Sequence, residues 1–239
     1  TCWLLIHCGS RNFGHKICTY HQDKAGEVHE TKMAELRAKV KDFPNSEKTA
    51  YIKSLDSYKL APDLKYLEGS YLDKYVEHMK VAQEFATKSH EVIAHEICSR
   101  MGWKINETIF TNHNYIEFLA NKEMIIRKGA VSAKKDEMLI IPLNMKDGSL
   151  ICRGKGSNFW NNSAPHGAGR VLSRGAAKRK LSLEEFKDSM QGIWTSCVSQ
   201  STLDEAPLAY KNADIILDAI GDTVEIVAHI VPVYNFKAV

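Results

Sequence analysis

Hydrophobic and polar positions along the chain fall into two regimes. From about residue 27 to 102 the apolar positions recur at helical spacing, and from about 107 to 239 they come in short β-branched and aromatic runs. In the first regime, 28–43 is rich in helix formers and stops before Pro44, and 46–58 reads as a second, polar helix. Leu72, Val76, Met79, Ala86, Ile93 and Ile97 then keep one helical stripe that ends near Gly102, a pattern that reads as packing. In the second regime, strands are predicted over 109–111, 115–118, 124–126, 138–141 and 150–152. Pro142 is expected to end the fourth, and Asp147-Gly148 to turn a hairpin into the fifth. Ser182 and Glu185 fit a capping box for a helix to about Met190, 210–220 reads as a further helix, and 224–231 as a last strand. The class that follows is α+β.

Trp3-Leu4-Leu5-Ile6 is a continuous apolar run and is expected to be a buried strand, followed by a turn from Gly9 to Gly14. A core strand with no polar lead-in predicts a chain that starts inside a fold and is N-terminally incomplete. No repeat or linker interrupts the rest. The expected organisation is therefore one domain over 1–239, a mixed-sheet layered fold with a long helical insertion (27–102) after the first strand and a strand-rich region (107–239) carrying the site.

Composition changes this picture little. With 239 residues, 44% hydrophobic and 26% charged, the chain is long enough to bury a sizeable core without disulfides. The net charge of +3 does not by itself imply nucleic acid, but Arg170, Arg174, Lys178, Arg179 and Lys180 fall within eleven residues. No apolar run approaches the ~20 residues of a membrane span. The six cysteines show neither zinc-type pairing nor a secreted framework, so a reduced, cytoplasmic setting is expected. Cys8, beside His7, reads as a buried free thiol rather than a ligand.

The candidate chemistry centres on Ala164-Pro165-His166-Gly167-Ala168-Gly169-Arg170. Small residues let backbone N–H groups approach a phosphate, and a helix opening at that point would add its positive end. Arg170, Arg174 and Lys178 recur every four residues and would line one face of such a helix. His7 and His113 likewise stand where apolar runs meet polar turns, positions from which imidazoles could converge on a metal. The other histidines, among them His15, His21, His90 and His95, read as hydrogen-bonded core residues.

Several stretches carry a more specific signal: His7-Cys8-Gly9-Ser10-Arg11-Asn12, His113-Asn114-Tyr115, Arg127-Lys128-Gly129-Ala130, the run from Ile141 to Ser149, Arg153-Gly154-Lys155-Gly156, and the His166 loop through Arg174. The run from Gln200 to Lys211 and the tail Pro232-Val233-Tyr234-Asn235-Phe236-Lys237 complete the set, which covers nearly the whole chain. Together, and in this order, they resemble the C-terminal part of the RtcB family of GTP- and manganese-dependent RNA ligases.

The resemblance implies that His166 is a nucleophile that becomes guanylylated, and that His7 and His113 are ligands of Mn²⁺. It assigns the guanine nucleotide to Asn114, Pro142, Leu143, Asn144, Met145, Ser149, Gly167, Ala168, Gly169, Tyr210 and Lys237. Arg11, Arg170 and Arg174 would meet RNA or nucleotide phosphates. The implied reaction joins RNA 2′,3′-cyclic phosphate or 3′-phosphate ends to 5′-hydroxyl ends, with GTP and Mn²⁺ as cofactors and an archease-like protein as a possible helper. Ile126, Val131 and Leu143-Asn144 depart from the family's usual residues, and the last substitution leaves backbone contacts possible. The family's Asp, bridging Cys and Asn-His segment fall before the position of His7, which implies a chain that is inactive alone. Two alternatives stand beside the ligase: a truncated fragment that binds RNA or a partner, and a metal-dependent RNA-end phosphoesterase using His166 as acid–base.

Overall fold

A computed structural model describes residues 2–120 and 123–237. The chain divides into two compact units, Thr1–Lys104 and Ile105–Val239.

The first unit is helical: α1 (Arg11–Ala38), α2 (Asn45–Ser54) and α3 (Ser70–Met101), with 3-10 turns between them. Helix α1 begins well before the expected residue 28 and takes in residues 11–14 of the expected Gly9–Gly14 turn. Its buried residues His21, Ala25 and Met33 share one face, and α3 offers Met79, Ala82 and Cys98. Packing on α3 supports turns that propensity alone leaves marginal. Phe43 stacks on Tyr51 at 4.2 Å, and the Tyr51 hydroxyl donates to the Leu36 carbonyl, which ties α2 back to α1. Helix α3 covers the predicted stripe and stops at Gly102, but of that stripe only Met79 is buried and Ile93 is exposed. The expected opening strand is absent. Residues 2–9 have no regular structure, Leu4 and Leu5 are exposed, and no strand among the described residues pairs with them.

The second unit holds β1 (Asn114–Phe118), β2 (Met124–Lys128), β3 (Ala130–Ser132), β4 (Met138–Asn144), β5 (Gly148–Gly154) and β6 (Ser163–Pro165). These are followed by α4 (Arg174–Lys180), α5 (Leu183–Ser189), β7 (Trp194–Thr195), α6 (Ala213–Ala219), β8 (Val224–Ile230) and β9 (Tyr234–Asn235). The α+β class holds. β1 pairs with β2 and β3 with β6, both antiparallel, and β5 is the centre of an antiparallel β4-β5-β8 sheet.

Alternation along β4 turns Leu139, Ile141 and Leu143 inward, while β5 is buried on both faces. These residues meet Val131, Ile216, Ile220 and Val224 in one core cluster. A second cluster gathers Met145, Phe186, Met190, Cys197, Leu203 and Ala206. Strand β4 runs past Pro142 because it is an edge strand, where a missing N–H breaks no ladder bond. The expected strand at 109–111 is irregular; Thr111 Oγ1 instead accepts the Ile140 N–H at 3.1 Å. The hairpin turn ends at Gly148, whose φ is +78°, and a Cβ there would lie 2.0 Å from the Ile230 carbonyl oxygen. The Ser182–Glu185 capping box forms as predicted. Helix α6 starts at Ala213 rather than 210, capped by Asn212, because Tyr210 is held in a bridge with Arg170.

Candidate active site

Three short segments of the second unit converge at Gly129. Its N–H donates to the His113 carbonyl at 3.2 Å, and its own carbonyl accepts the His166 backbone N–H at 3.4 Å. His166 Nδ1 also donates to that carbonyl, at 2.7 Å. The His113 and His166 rings therefore lie close, with centroids 5.1 Å apart. Both are half-buried. Burial, and then the proximity of His166, hold His113 below its ordinary imidazole range.

The glycine loop after His166 is pinned to β4 by the Ala168 N–H on the Pro142 carbonyl at 3.1 Å. Leu143 and Met145 bury their side chains in the two core clusters, and Ser149 is buried in β5 opposite Pro142. The Asn144 side chain is spent within the hairpin turn, on Asp147 and on the N–H groups of Lys146 and Asp147. Asn114 is exposed at the start of β1.

Past Gly169, the chain enters a charged cluster. Arg170 lies outside the helix predicted to carry it. Its guanidinium sits 4.8 Å from the Tyr210 ring centroid and donates to the Tyr210 hydroxyl and to the Leu172 and Asp204 carbonyls. Helix α4 starts at Arg174, with Ser173 as its cap. Arg174 bonds Asp204 at 2.6 Å and Glu205 at 2.7 Å, and Lys178 pairs with Asp204 at 3.2 Å. The predicted cation stripe is thus reduced to Arg174 and Lys178, and both face carboxylates. Lys237 Nζ donates to Glu205 at 3.3 Å. Burial alone would raise Glu205, but Lys237, the Tyr210 hydroxyl and Arg174 outweigh it and hold the carboxyl below its ordinary range. Burial, then Glu205, pushes the Tyr210 phenol up to about 12.

The first unit holds the other predicted positions. His7 is exposed in the irregular segment, and Arg11 opens α1 with a φ of +53°. Cys8 is a half-buried free thiol whose carbonyl accepts from His90 Nε2 at 2.9 Å. His21 is buried against His78, with nitrogens 3.1 Å apart, whereas His15 and His95 are exposed rather than core.

Sequence reasoning gave no role to Asp204 and Glu205, or to Arg127 and Glu117, which pair within the second unit. A signal was present in Leu203-Asp204-Glu205-Ala206, where acidic residues between apolar ones need partners once buried.

A family model described as tRNA-splicing ligase RtcB matches residues 1–238. The RNA-splicing ligase RtcB1 of Escherichia coli strain ATCC 25922 is 30% identical over 94% of this chain and 53% of its own length. The RNA-splicing ligase RtcB of E. coli K12 gives the same figures. The tRNA-splicing ligase RtcB of Archaeoglobus fulgidus is 28% identical over 91% of this chain and 48% of its own. The chain thus spans about half the length of these relatives. With that family model matching residues 1–238, the chain belongs to the RtcB family of tRNA-splicing ligases.

Proposed function

We propose that this chain carries the guanylyl-transfer part of a GTP- and Mn²⁺-dependent RNA ligase, which joins 2′,3′-cyclic phosphate or 3′-phosphate ends to 5′-hydroxyl ends through a histidine–GMP intermediate. One juxtaposition supports the reading. His166 opens the glycine loop ring-to-ring with His113, and the same loop leads through Arg170 to Tyr210, Glu205 and Lys237. A neutral His166 imidazole attacks the α-phosphorus of GTP; the N–P bond forms as the bond to pyrophosphate breaks. GMP then passes to the RNA 3′-phosphate, and attack by the 5′-hydroxyl joins the strands and releases GMP. The Tyr210 ring, with Arg170 on one face, offers the other to the purine, a stack worth about 1–3 kcal/mol.

When bound, Mn²⁺ neutralises charge on the phosphoryl oxygens. His113 is an imidazole donor that such an ion accepts, and His7, in the other unit, is a donor of the same kind; a hard divalent cation also wants oxygen. Among the described residues no group of three or more His, Cys, Asp or Glu gathers for a metal. The roles above are those of the chain's own side chains. One second reading stands beside guanylyl transfer, a chain that binds RNA or a ligase partner without turnover. Among the described residues no helix is long and apolar enough to cross a membrane.

The deciding experiment is incubation with GTP and Mn²⁺ followed by mass analysis. An acid-labile GMP adduct on His166, absent from His166→Ala, supports guanylyl transfer. Labelling that survives the substitution overturns the nucleophile assignment, and RNA binding without any labelling favours the second reading.

A further inference from the structure

Among the described residues Arg127 is the largest fully buried side chain, 1% exposed. Burying a guanidinium is unfavourable unless its five N–H groups find acceptors. Here Nε donates to Ser163 Oγ at 3.1 Å, and Nη1 to the Tyr115 hydroxyl at 3.1 Å and to Glu117. Nη2 donates to the carbonyls of Asn161 at 3.2 Å and Asn162 at 3.4 Å. Both asparagines are left-handed, with φ of 50° and 48°, so the guanidinium also stabilises a strained turn.

The two segments that Arg127 joins both run on to the candidate nucleophile. Strand β2 reaches Gly129 two residues after Arg127, and β6 reaches His166 three residues after Ser163. There the Gly129 carbonyl meets His166 Nδ1 at 2.7 Å. A carbonyl only accepts, so Nδ1 carries the proton and Nε2 keeps the lone pair. The approach is tight: Gly129 has a φ of +74°, and a Cβ there would lie 3.4 Å from His166 Cε1.

We propose that Arg127 is a positioning residue for His166: by clamping β2 to the 161–163 turn, it keeps the Gly129 carbonyl on Nδ1 and fixes the Nδ1–H tautomer. That Nε2 is the reacting nitrogen rests on the guanylyl-transfer reading; the tautomer itself does not.

The test is ¹⁵N-histidine NMR of the intact chain, without nucleotide or metal, in alkaline buffer where imidazole is neutral. His166→Gln assigns the resonance. The wild type should show the Nδ1–H pattern alone. Arg127→Lys, which keeps the charge and loses the fork, should show a mixture of tautomers. It should also slow GMP labelling about 10–100-fold, the range for removing an outer partner that orients a functional histidine, with nucleotide affinity unchanged. A wild-type Nε2–H pattern, or a folded Arg127→Lys with the wild-type ratio, overturns the proposal. If Arg127→Lys does not fold, Ser163→Ala removes one of the five bonds: a measurable Nε2–H fraction supports the clamp, and an unchanged ratio overturns it. A chain with the Nδ1–H pattern that never takes up GMP overturns guanylyl transfer and leaves the positioning claim standing.

Discussion

Glu205 accepts the phenol proton of Tyr210 at 2.9 Å. Because the same carboxylate also holds Arg174 and Lys237, one acidic side chain ties together three residues to which the family resemblance gives ligand contacts.

Glu205→Gln should loosen all three at once. A hydrogen bond to a charged group contributes about 1.5–3 kcal/mol, and a loss of that size is expected in chemical denaturation. The Tyr210 phenol, held up partly by the negative charge of Glu205, should titrate lower in ¹³C-tyrosine NMR, although burial keeps it raised. An unmoved phenol would show that the two groups are not coupled.

Acid should weaken the same cluster. Glu205 and Asp204 are held below their ordinary values of 4.5 and 3.8, because their cationic partners outweigh burial. A depressed carboxyl contributes stability that is complete above the unfolded value and is lost as pH falls through the folded one. Thermal melts should therefore decline below about 4.5. A double variant, Asp204→Asn with Glu205→Gln, should start lower and decline less. If its acid limb matches the wild type, other carboxylates dominate acid unfolding.

Phe186 is fully buried at the centre of the second core cluster. Phe186→Ala should cost about 3–5 kcal/mol, read from the denaturant midpoint. A loss under about 1 kcal/mol would mean that the cluster collapses around the gap and is not the tight core described.

Arg174 faces Asp204 and Glu205 in the protein without RNA. If it turns to a phosphate when RNA binds, Arg174→Ala should flatten the slope of log affinity against log salt by about 0.7, the single-strand value for one contact. Fluorescence anisotropy with a single-stranded RNA at several salt concentrations reads this directly. An unchanged slope confines Arg174 to its carboxylate partners.

Where local signals carried enough physics, the sequence was readable. The end of α3 at Gly102, the Ser182–Glu185 box and the Asp147-Gly148 turn each encode a short-range contact, and each forms. Likewise, the flanking segments bring His113 and His166 together. What escaped depends on distant partners. Trp3–Ile6 has strand composition but no paired strand among the described residues, and the extension of α1 back to Arg11 follows packing on α3. Pro142 stays within a strand only because that strand is an edge. Arg127 and Glu205 look like ordinary surface charges until the fold buries them. Their importance lies in acceptors and donors more than thirty positions away, such as Ser163 and Lys237.

Gly148 sets a different kind of limit. With the Ile230 carbonyl where a methyl would begin, the alphabet at this position has one letter, and no chemistry is involved. A saturation library screened only for soluble expression should return glycine at 148 before any assay for ligation is run. Gly129, by contrast, should tolerate more in that screen, because a Cβ there meets only the His166 ring, at 3.4 Å. Comparing the two sorting results would separate a constraint set by the β5–β8 backbone from one set by the His166 ring.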